Sequence, residues 1–256
     1  MLSNLGTFSS LIALAISFAL IIFSYFEIKI SDNKVPKRIY LLSFYQLAFS
    51  VLSFLILLVG YIFSDFSMIN VYENSHTTKP LFYKISGVWG NHEGSLLLWI
   101  NILVLFSFLF LFLNNNKNKK FRILTLIIQN LLISIFFIFL LTNSNPFSKI
   151  FPIPNEGMGL NPILQDPILA IHPPLLYLGF VGSSIYFSAA LAALLSQVEA
   201  RSFAISIKPW VSISWFFQTV GILAGSIWAY YELGWGGFWF WDPVENSSLM
   251  PWFLMT

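Results

Sequence analysis

Six long apolar segments dominate the pattern of hydrophobic and polar positions along the chain. They cover roughly residues 5–25, 39–63, 95–113, 121–142, 174–195 and 210–231. Each is close to the ~20 residues that an α-helix needs to cross the hydrocarbon core of a bilayer. Backbone amides in hydrocarbon have no water to bind, so each must be hydrogen-bonded within its own helix. The pattern therefore predicts an all-α, polytopic transmembrane helix bundle with six complete spans.

A seventh helix is predicted to begin near Pro243 or Val244. About 13 residues remain from there to Thr256, and at ~1.5 Å per residue they reach about 20 Å, which does not cross a membrane. We therefore expect either a chain that is cut at this point or a partner polypeptide that completes the bundle. Residues 1–256 are interpreted as a single integral membrane domain, with outer loops at 64–94 and 143–173.

Composition agrees with a membrane protein and excludes several functions. The chain is 57% hydrophobic and only 9% charged, whereas soluble domains carry about 25% charged residues. Cysteine is absent, which excludes a disulfide framework and thiolate chemistry. The net charge of +2 gives no indication of nucleic-acid binding. The first apolar segment is too long for the core of a signal peptide and lacks a preceding basic stretch, so we expect a retained anchor.

Basic residues are unevenly distributed between the loops, and this predicts the orientation of the chain. Ten of the 13 Lys and Arg residues lie in the first, third and fifth loops or at the adjoining helix edges. Since cytoplasmic loops are enriched in Lys and Arg, these loops are expected in the cytoplasm, or on the matrix side of an organelle. The N-terminus and the even-numbered loops then face outward. Eight of the 11 acidic residues and all three histidines lie on that outer side, which we expect to be the functional face.

The connection after the sixth span is unlike the rest of the chain. The stretch "ELGWGGFWFWDPVENSSLMPW" has 21 residues and includes four tryptophans. We call residues 232–245 the tryptophan-rich segment; three of its indoles come from Trp235, Trp239 and Trp241. An interfacial aromatic belt is one interpretation, but belt residues anchor helix ends, whereas these lie in a Gly-rich connection. The position favours a platform for a planar conjugated ligand, since aromatic rings pair well with a flat ring system.

Glycines and carboxylates in the same segment add to this interpretation. Three glycines would let a ligand or a backbone approach closely: Gly234, Gly236 and Gly237. Asp242 precedes Pro243, and Glu245 follows at the third helical position, which is typical of a capped helix start. A ligand role for Asp242 is an equally good interpretation, and Glu245 is also a candidate for contact with the ligand. A porphyrin, a quinone headgroup or a sugar chain could use an apolar site with a few polar groups.

Two histidines are candidate ligands on the outer side. Heme needs axial ligands, and histidine is the commonest of them. His172 lies in "AIHPPLLYLGFVG", where Pro174 is predicted to begin the fifth span, so the imidazole is expected at the outer mouth of the bundle beside the tryptophan-rich segment. His92 precedes the third span in "WGNHEGSLLLW". Glu93 could orient His92 as a metal ligand, or the two could form a simple polar helix entry. His76 has the surroundings of an ordinary loop residue.

Several long motifs resemble the CcmF-type cytochrome c heme lyases. "GSIWAYYELGWGGFWFWDPVENSSLMPW" is similar to the tryptophan-rich WWD signature of the heme-handling superfamily that contains CcmF, NrfE and CcsA, and its ending resembles the CcmF branch. "WGNHEGSLLLW", "SNPF" at 144–147 and "GLNPILQDPILAIHPPLLYLGFVG" at 159–182 show the same resemblance. The motifs keep their order over most of the chain, which resembles the N-terminal portion of a CcmF protein. They do not separate CcmF from a nitrite-reductase-associated paralogue.

The resemblance implies a function in cytochrome c maturation. A heme chaperone, CcmE, would present heme to the tryptophan-rich segment, and a thioreductase-type partner, CcmH, would hold apocytochrome c. Thioethers to the two thiols of a CxxCH site would then form in a complex that also needs the remaining C-terminal portion of CcmF. His172 matches an external axial ligand of heme iron. The implied location is the bacterial inner membrane with a periplasmic active face, or alternatively the mitochondrial inner membrane.

The family also carries a heme b within the membrane, and the ligands of that heme have no counterpart in this sequence. One of them would be expected a few residues past Thr256. Two other functions are alternatives: a heme transporter and a membrane quinol–heme oxidoreductase. Transporters tend to place polar sites near the midplane of the membrane, whereas the acids and histidines here lie outside. An oxidoreductase would require paired histidines inside the spans.

Overall fold

The computed structural model describes residues 1–30, 34–114, 118–234, 237–239, 241 and 243–256. Within them the chain is helical, with one 3₁₀ turn at Pro162–Leu164. The α-helices are α1 (Leu2–Ile28), α2 (Lys37–Ile62), α3 (Ile69–Asn74), α4 (Leu81–Gly87), α5 (His92–Leu113), α6 (Lys119–Asn143), α7 (Pro167–Phe180), α8 (Ser183–Ser196), α9 (Ala200–Glu232) and α10 (Pro243–Met255).

The six predicted spans are confirmed, and the protein is a multi-pass membrane protein. Helices α1, α2, α5, α6 and α9 are each long and apolar enough to cross a bilayer, and α7 with α8 forms a further span over Pro167–Ser196. The predicted seventh helix is also confirmed, because α10 begins at Pro243. Each span is longer than the apolar run that predicted it.

The fifth span begins earlier than predicted. The sequence predicted a start at Pro174, but α7 begins at Pro167, where the carboxylate of Asp166 accepts hydrogen bonds from two amides of the first turn. The helix starts at this N-cap and continues through Pro173 and Pro174, which lie inside it. The loop predicted at 143–173 therefore ends at residue 166. The loop predicted at 64–94 contains α3 and α4 and ends where α5 begins.

Buried amide side chains connect the spans. The Gln46 Nε2 on α2 donates to Ser17 Oγ on α1 at 2.6 Å and to Asn130 Oδ1 on α6 at 2.7 Å. Gln129 Nε2 on α6 donates to Ser184 Oγ on α8 at 2.9 Å. Polar groups within a bundle find partners on neighbouring helices because lipid offers none. These interhelical hydrogen bonds join α1, α2, α6 and α8.

The two even-numbered loops pair with each other at one end of the bundle, which we call the loop end. The amide of Ile69 donates to the carbonyl of Ser148 at 2.9 Å, and the amide of Ile150 donates to the carbonyl of Ser67 at 3.1 Å. The Tyr231 hydroxyl, near the end of α9, lies 2.6 Å from an oxygen of Asp166. Both loops and the beginning of the tryptophan-rich segment therefore share one end.

The opposite end of the bundle is basic. Arg38 pairs with Glu27 at 3.2 Å, and the Lys119 ammonium lies 3.9 Å from the same carboxylate. Arg38 and Lys119 lie at helix ends that adjoin the loops in which the sequence concentrates Lys and Arg. The fold thus separates a basic end from the loop end, as the distribution of charge predicted. That the loop end faces the periplasm stays a prediction.

Candidate functional site

A small cavity lies between α7, α9 and α10 at the site that the sequence predicted for a ligand. It has a volume of about 130 Å³, and its lining includes His172 of α7, Trp228 of α9, Trp239 of the tryptophan-rich segment and Glu245 of α10. Three predicted site residues that are separated by up to 73 positions along the chain (172 to 245) therefore line one space. The close packing of α7 on α9 and the return of the chain into α10 bring them together.

One ring nitrogen of His172 is already engaged by the protein. Its Nδ1 lies 2.7 Å from the backbone carbonyl of Gly221 on α9. A carbonyl oxygen can only accept, so Nδ1 carries the hydrogen and donates it. In a neutral imidazole the Nε2 then holds the free lone pair, which is the form that binds a metal ion. The half-buried ring lies within α7 rather than at its mouth, as the earlier start of that helix requires.

The indoles of the tryptophan-rich segment have two different environments. The rings of Trp239 and Trp241 meet edge to face, with centroids 6.1 Å apart and an interplanar angle of 79°. Trp239 lines the cavity, while Trp241 is 70% exposed. The indole N–H groups of Trp239 and Trp228 are buried and have no hydrogen-bond partner among the described residues. A hydrophobic core normally leaves no buried hydrogen-bond donor unpaired. Two unpaired N–H groups in the same cavity as an imidazole therefore favour a ligand site.

The backbone of Trp241 is strained. Its φ is +63°, a left-handed conformation that is rare for a bulky side chain. Contacts from α10 hold it there, because a carboxylate oxygen of Glu245 accepts the Trp241 amide hydrogen at 3.0 Å. The Asn246 side-chain amide also donates to the Trp241 carbonyl at 2.9 Å. Glu245 therefore both lines the cavity and holds the end of the tryptophan-rich segment.

Of the remaining glycines, tryptophan and aspartate predicted in this segment, the structure describes only Gly234 and Gly237. Trp235, Gly236 and Asp242 lie outside the described residues. At Gly237 and Gly234 an added Cβ would meet no atom within 4 Å, so close approach by the protein's own backbone does not account for either glycine. Gly234 has a φ of +64°, which glycine adopts without a steric penalty. Access for a ligand at Gly237 stays a prediction.

His92 belongs to a different cavity. It is the exposed first residue of α5, and it borders a larger space of about 500 Å³ whose walls include Trp89, Trp99 and Tyr177. Glu93 accepts a hydrogen bond from Asn70 at 3.1 Å, as a polar helix entry would. The structure therefore does not bring His92 and His172 together.

Some residues of the His172 site were missed by the sequence interpretation. Gly221 and Gly225 form a GxxxG pattern that helix packing alone would explain, but Gly221 supplies the carbonyl that binds His172 and Gly225 lies against the ring. Trp228 was not singled out although it lies on the same helix, three residues after Gly225. The GxxxG spacing was the available signal, because small residues at this interval let another helix or a side chain approach the backbone.

Comparison with known proteins agrees with these motifs. Residues 89–256 match the sequence profile of the Cytochrome C assembly protein family. Over its whole length the chain is 48% identical to the cytochrome c-type biogenesis protein CycK of Bradyrhizobium diazoefficiens and spans 39% of that protein. It is 43% identical over 254 residues, 99% of its length, to the cytochrome c-type biogenesis protein NrfE of Haemophilus influenzae, and spans 40% of it.

A solved structure shows the same architecture. The cytochrome c heme lyase CcmF superimposes on the whole of this chain with a TM-score of 0.84 and 29% sequence identity, and the chain covers 41% of CcmF. The chain thus spans about two fifths of the length of these relatives. The matched profile begins at Trp89 and includes the tryptophan-rich segment, the smaller cavity and every lining residue of the larger cavity except Ser86. The chain therefore belongs to the cytochrome c assembly protein family, as its motifs predicted.

Proposed function

We propose that this chain is the heme-handling part of a cytochrome c heme lyase, with heme held by His172 beside the tryptophan-rich segment. A heme chaperone of the CcmE type would deliver the heme, and a CcmH-type thioreductase would hold apocytochrome c. The complete lyase would also need the C-terminal portion that longer relatives carry. The observation that carries the proposal is that Gly221 binds Nδ1 of His172 within the cavity that Trp239 and Glu245 line.

The residues present fit a heme group. Heme binding needs an imidazole with one nitrogen fixed and the other free, and His172 meets this condition. The cavity of about 130 Å³ is smaller than the ~300–1,000 Å³ usual for small-molecule pockets. A porphyrin would therefore extend beyond it, and the exposed indole of Trp241 offers apolar surface there. The unpartnered N–H groups of Trp228 and Trp239 could donate to heme carboxylates.

The protein would contribute position and exclusion of water rather than a reacting group. When bound, heme supplies the iron and the vinyl groups to which the CxxCH thiols add, each sulfur bonding to one carbon and its proton passing to the other. His172 would hold the iron, and the indoles of Trp239 and Trp241 would cover the ring system. Holding two reactants in place makes their encounter effectively intramolecular, which removes much of the entropic barrier.

Substitution of His172 tests this function, and His76 offers a matched control. His172→Ala should remove most of the heme that co-purifies with the outer site and should stop maturation of c-type cytochromes. His76→Ala removes an imidazole from the outer loop, where it contacts Thr78, and should leave both unchanged. Full heme content together with normal cytochrome maturation in His172→Ala would overturn the proposal.

The larger cavity supports a second candidate function, binding of a quinol. Its volume of about 500 Å³ lies within the ~300–1,000 Å³ usual for small-molecule sites. Trp99 and Tyr177 provide aromatic walls for a flat headgroup, and His92 lies at the exposed edge, where it could accept a hydrogen bond from a hydroxyl. A quinol–heme oxidoreductase would use such a site beside the heme site.

Binding of a short-chain quinone analogue to the purified protein tests this second candidate. Trp99→Leu should weaken binding, because it removes one aromatic wall of the cavity. Phe139→Leu, at a 45% exposed position on α6, is the control and should bind as the unchanged protein does. Equal binding by both variants would rule out a quinone in this cavity.

A further inference from the structure

Two glycines of α9 create the space in which His172 lies. A Cβ at Gly221 would lie 2.7 Å from the Cα of Leu176 on α7. A Cβ at Gly225 would lie 2.6 Å from Cε1 and 2.9 Å from Nδ1 of His172. All three distances are below 3.0 Å, which real Cβ contacts essentially never reach. Neither position of α9 can therefore carry a side chain while α7 and the ring keep their places.

The two glycines have different roles although they form a single GxxxG pattern. The three atoms nearest to a Cβ at Gly221 all belong to Leu176, so this glycine lets the two helices approach each other. The three atoms nearest to a Cβ at Gly225 all belong to the imidazole of His172. Helix packing alone explains Gly221, whereas Gly225 makes room for the side chain of His172. A substitution at Gly225 would therefore act first on the residue that would hold iron.

We propose that α9 positions His172 for heme. The carbonyl of Gly221 holds Nδ1–H, and the missing side chain at Gly225 lets the ring take this orientation, so that only Nε2 is presented to iron. This inference rests on the proposed function. Gly225 is a positioning residue, because it acts through His172 and would not itself touch heme. A hydrogen bond from Nδ1–H to a backbone carbonyl sets both the tautomer and the direction of a metal-binding imidazole.

The tautomer can be measured in the protein without heme. The chain contains three histidines, so ¹⁵N-histidine labelling gives few signals, and His172→Ala identifies the signal of His172. In the unchanged protein we expect hydrogen on Nδ1 and a lone pair on Nε2. Gly225→Ala should displace the ring and remove this single tautomer. Leu223→Ala, at a 59% exposed position between the two glycines, is the control and should keep it.

Heme binding provides a second measurement. Changes in groups that orient metal ligands typically weaken binding about 10- to 100-fold, and we expect a loss of this size in Gly225→Ala together with an altered Soret spectrum. In a His172→Ala background the added methyl group meets no ring, so Gly225→Ala should cause no further loss. This double-mutant comparison separates an effect through His172 from general damage to α9.

The outcomes distinguish this inference from the proposed function. Heme binding by His172→Ala at the level of the unchanged protein would overturn both. Loss of heme in His172→Ala, with an unchanged tautomer and full heme affinity in Gly225→Ala, would overturn only the positioning role. If Gly225→Ala alone fails to fold, the double variant should regain a folded state, because the clashing ring is gone. A double variant that also fails to fold would overturn the positioning role.

Discussion

The indole N–H of Trp89 donates a hydrogen bond to the backbone carbonyl of Ala170 over 2.8 Å. Pro174 lies four residues after Ala170 inside α7 and has no amide hydrogen, so this carbonyl lacks its helical donor. A buried carbonyl without a partner is costly, above all within a membrane protein. The side chain of Trp89 therefore compensates for the proline and holds the turn of α7 that carries His172.

Trp89→Phe should destabilise the protein by about 1–3 kcal/mol, because it leaves the carbonyl of Ala170 without a donor. Phenylalanine keeps an aromatic ring that can stack on Phe54, whose centroid lies 6.5 Å from that of Trp89. Reversible unfolding in detergent measures the change. Trp215→Phe is a matched control, since the indole N–H of Trp215 has no hydrogen-bond partner among the described residues. Equal losses in the two variants would contradict a role for the Trp89 hydrogen bond.

The contact between the two even-numbered loops should depend on pH. Hydrogen bonds from the side chain and the amide of Thr77 lower the pKa of Glu156 from its ordinary value of 4.5 to about 2. A lowered pKa in the folded state means that the contact contributes fully above pH 4.5 and is lost as the pH falls through about 2. Hydrogen exchange of the Thr77 amide, measured across this range, should show protection falling with pH.

Glu156→Gln is the control for that measurement. Glutamine cannot ionise, so the protection of the Thr77 amide in this variant should not change between pH 4.5 and 2. His76 lies 3.8 Å from Glu156, and His76→Ala should leave the pH dependence in place, because the hydrogen bonds of Thr77 are its larger cause. A pH profile that is the same with glutamic acid and with glutamine would assign the titration to another group.

Trp241→Asn should separate stability from function. A left-handed conformation costs a residue with a Cβ about 1–2 kcal/mol, and asparagine tolerates it better than tryptophan. The indole of Trp241 is 70% exposed, so little packing is lost. We expect a free energy of unfolding that is raised by up to about 1 kcal/mol, together with weaker capture of the heme chaperone.

Trp241→Phe and Trp239→Ala complete this comparison. Trp241→Phe keeps both the backbone strain and an aromatic ring, so it should retain most of the capture. Trp239→Ala removes the wall of the cavity and should weaken capture without relieving strain. If Trp241→Asn and Trp239→Ala both captured the chaperone normally, the tryptophans would be better explained as an interfacial aromatic belt.

The orientation of the bundle can be tested with single cysteines, because the chain has none of its own. Thr78→Cys lies at the loop end and Lys120→Cys at the basic end, and both positions are exposed. A membrane-impermeant thiol reagent should label Thr78→Cys in intact cells and should label Lys120→Cys only after the membrane is opened. The reverse labelling would place the His172 site on the cytoplasmic side. That result would contradict the proposed function, in which heme is attached to apocytochrome c on the other side of the membrane.

Much of the fold followed from local pattern. The six spans depend on runs of apolar residues, and a helix in lipid must form wherever such a run is long enough. The boundaries of α7 did not follow, because the side chain of Asp166 caps the helix before two prolines that a sequence pattern interprets as a beginning. The candidate residues His172, Trp239 and Glu245 could be named from their motifs, but their shared cavity could not.

The sequence by itself determined the class of the protein, its spans, its separation of charge and the motifs of its family, since each depends on residues close together in the chain. Tertiary structure alone decided the chemistry around His172. Its Nδ1 is held by a carbonyl 49 residues away, and its ring fits against Gly225 because α7 packs on α9. Every residue has a backbone carbonyl, so the amino-acid sequence cannot show which carbonyl accepts a hydrogen bond from His172. Only the packing of the two helices shows which nitrogen of the ring is free.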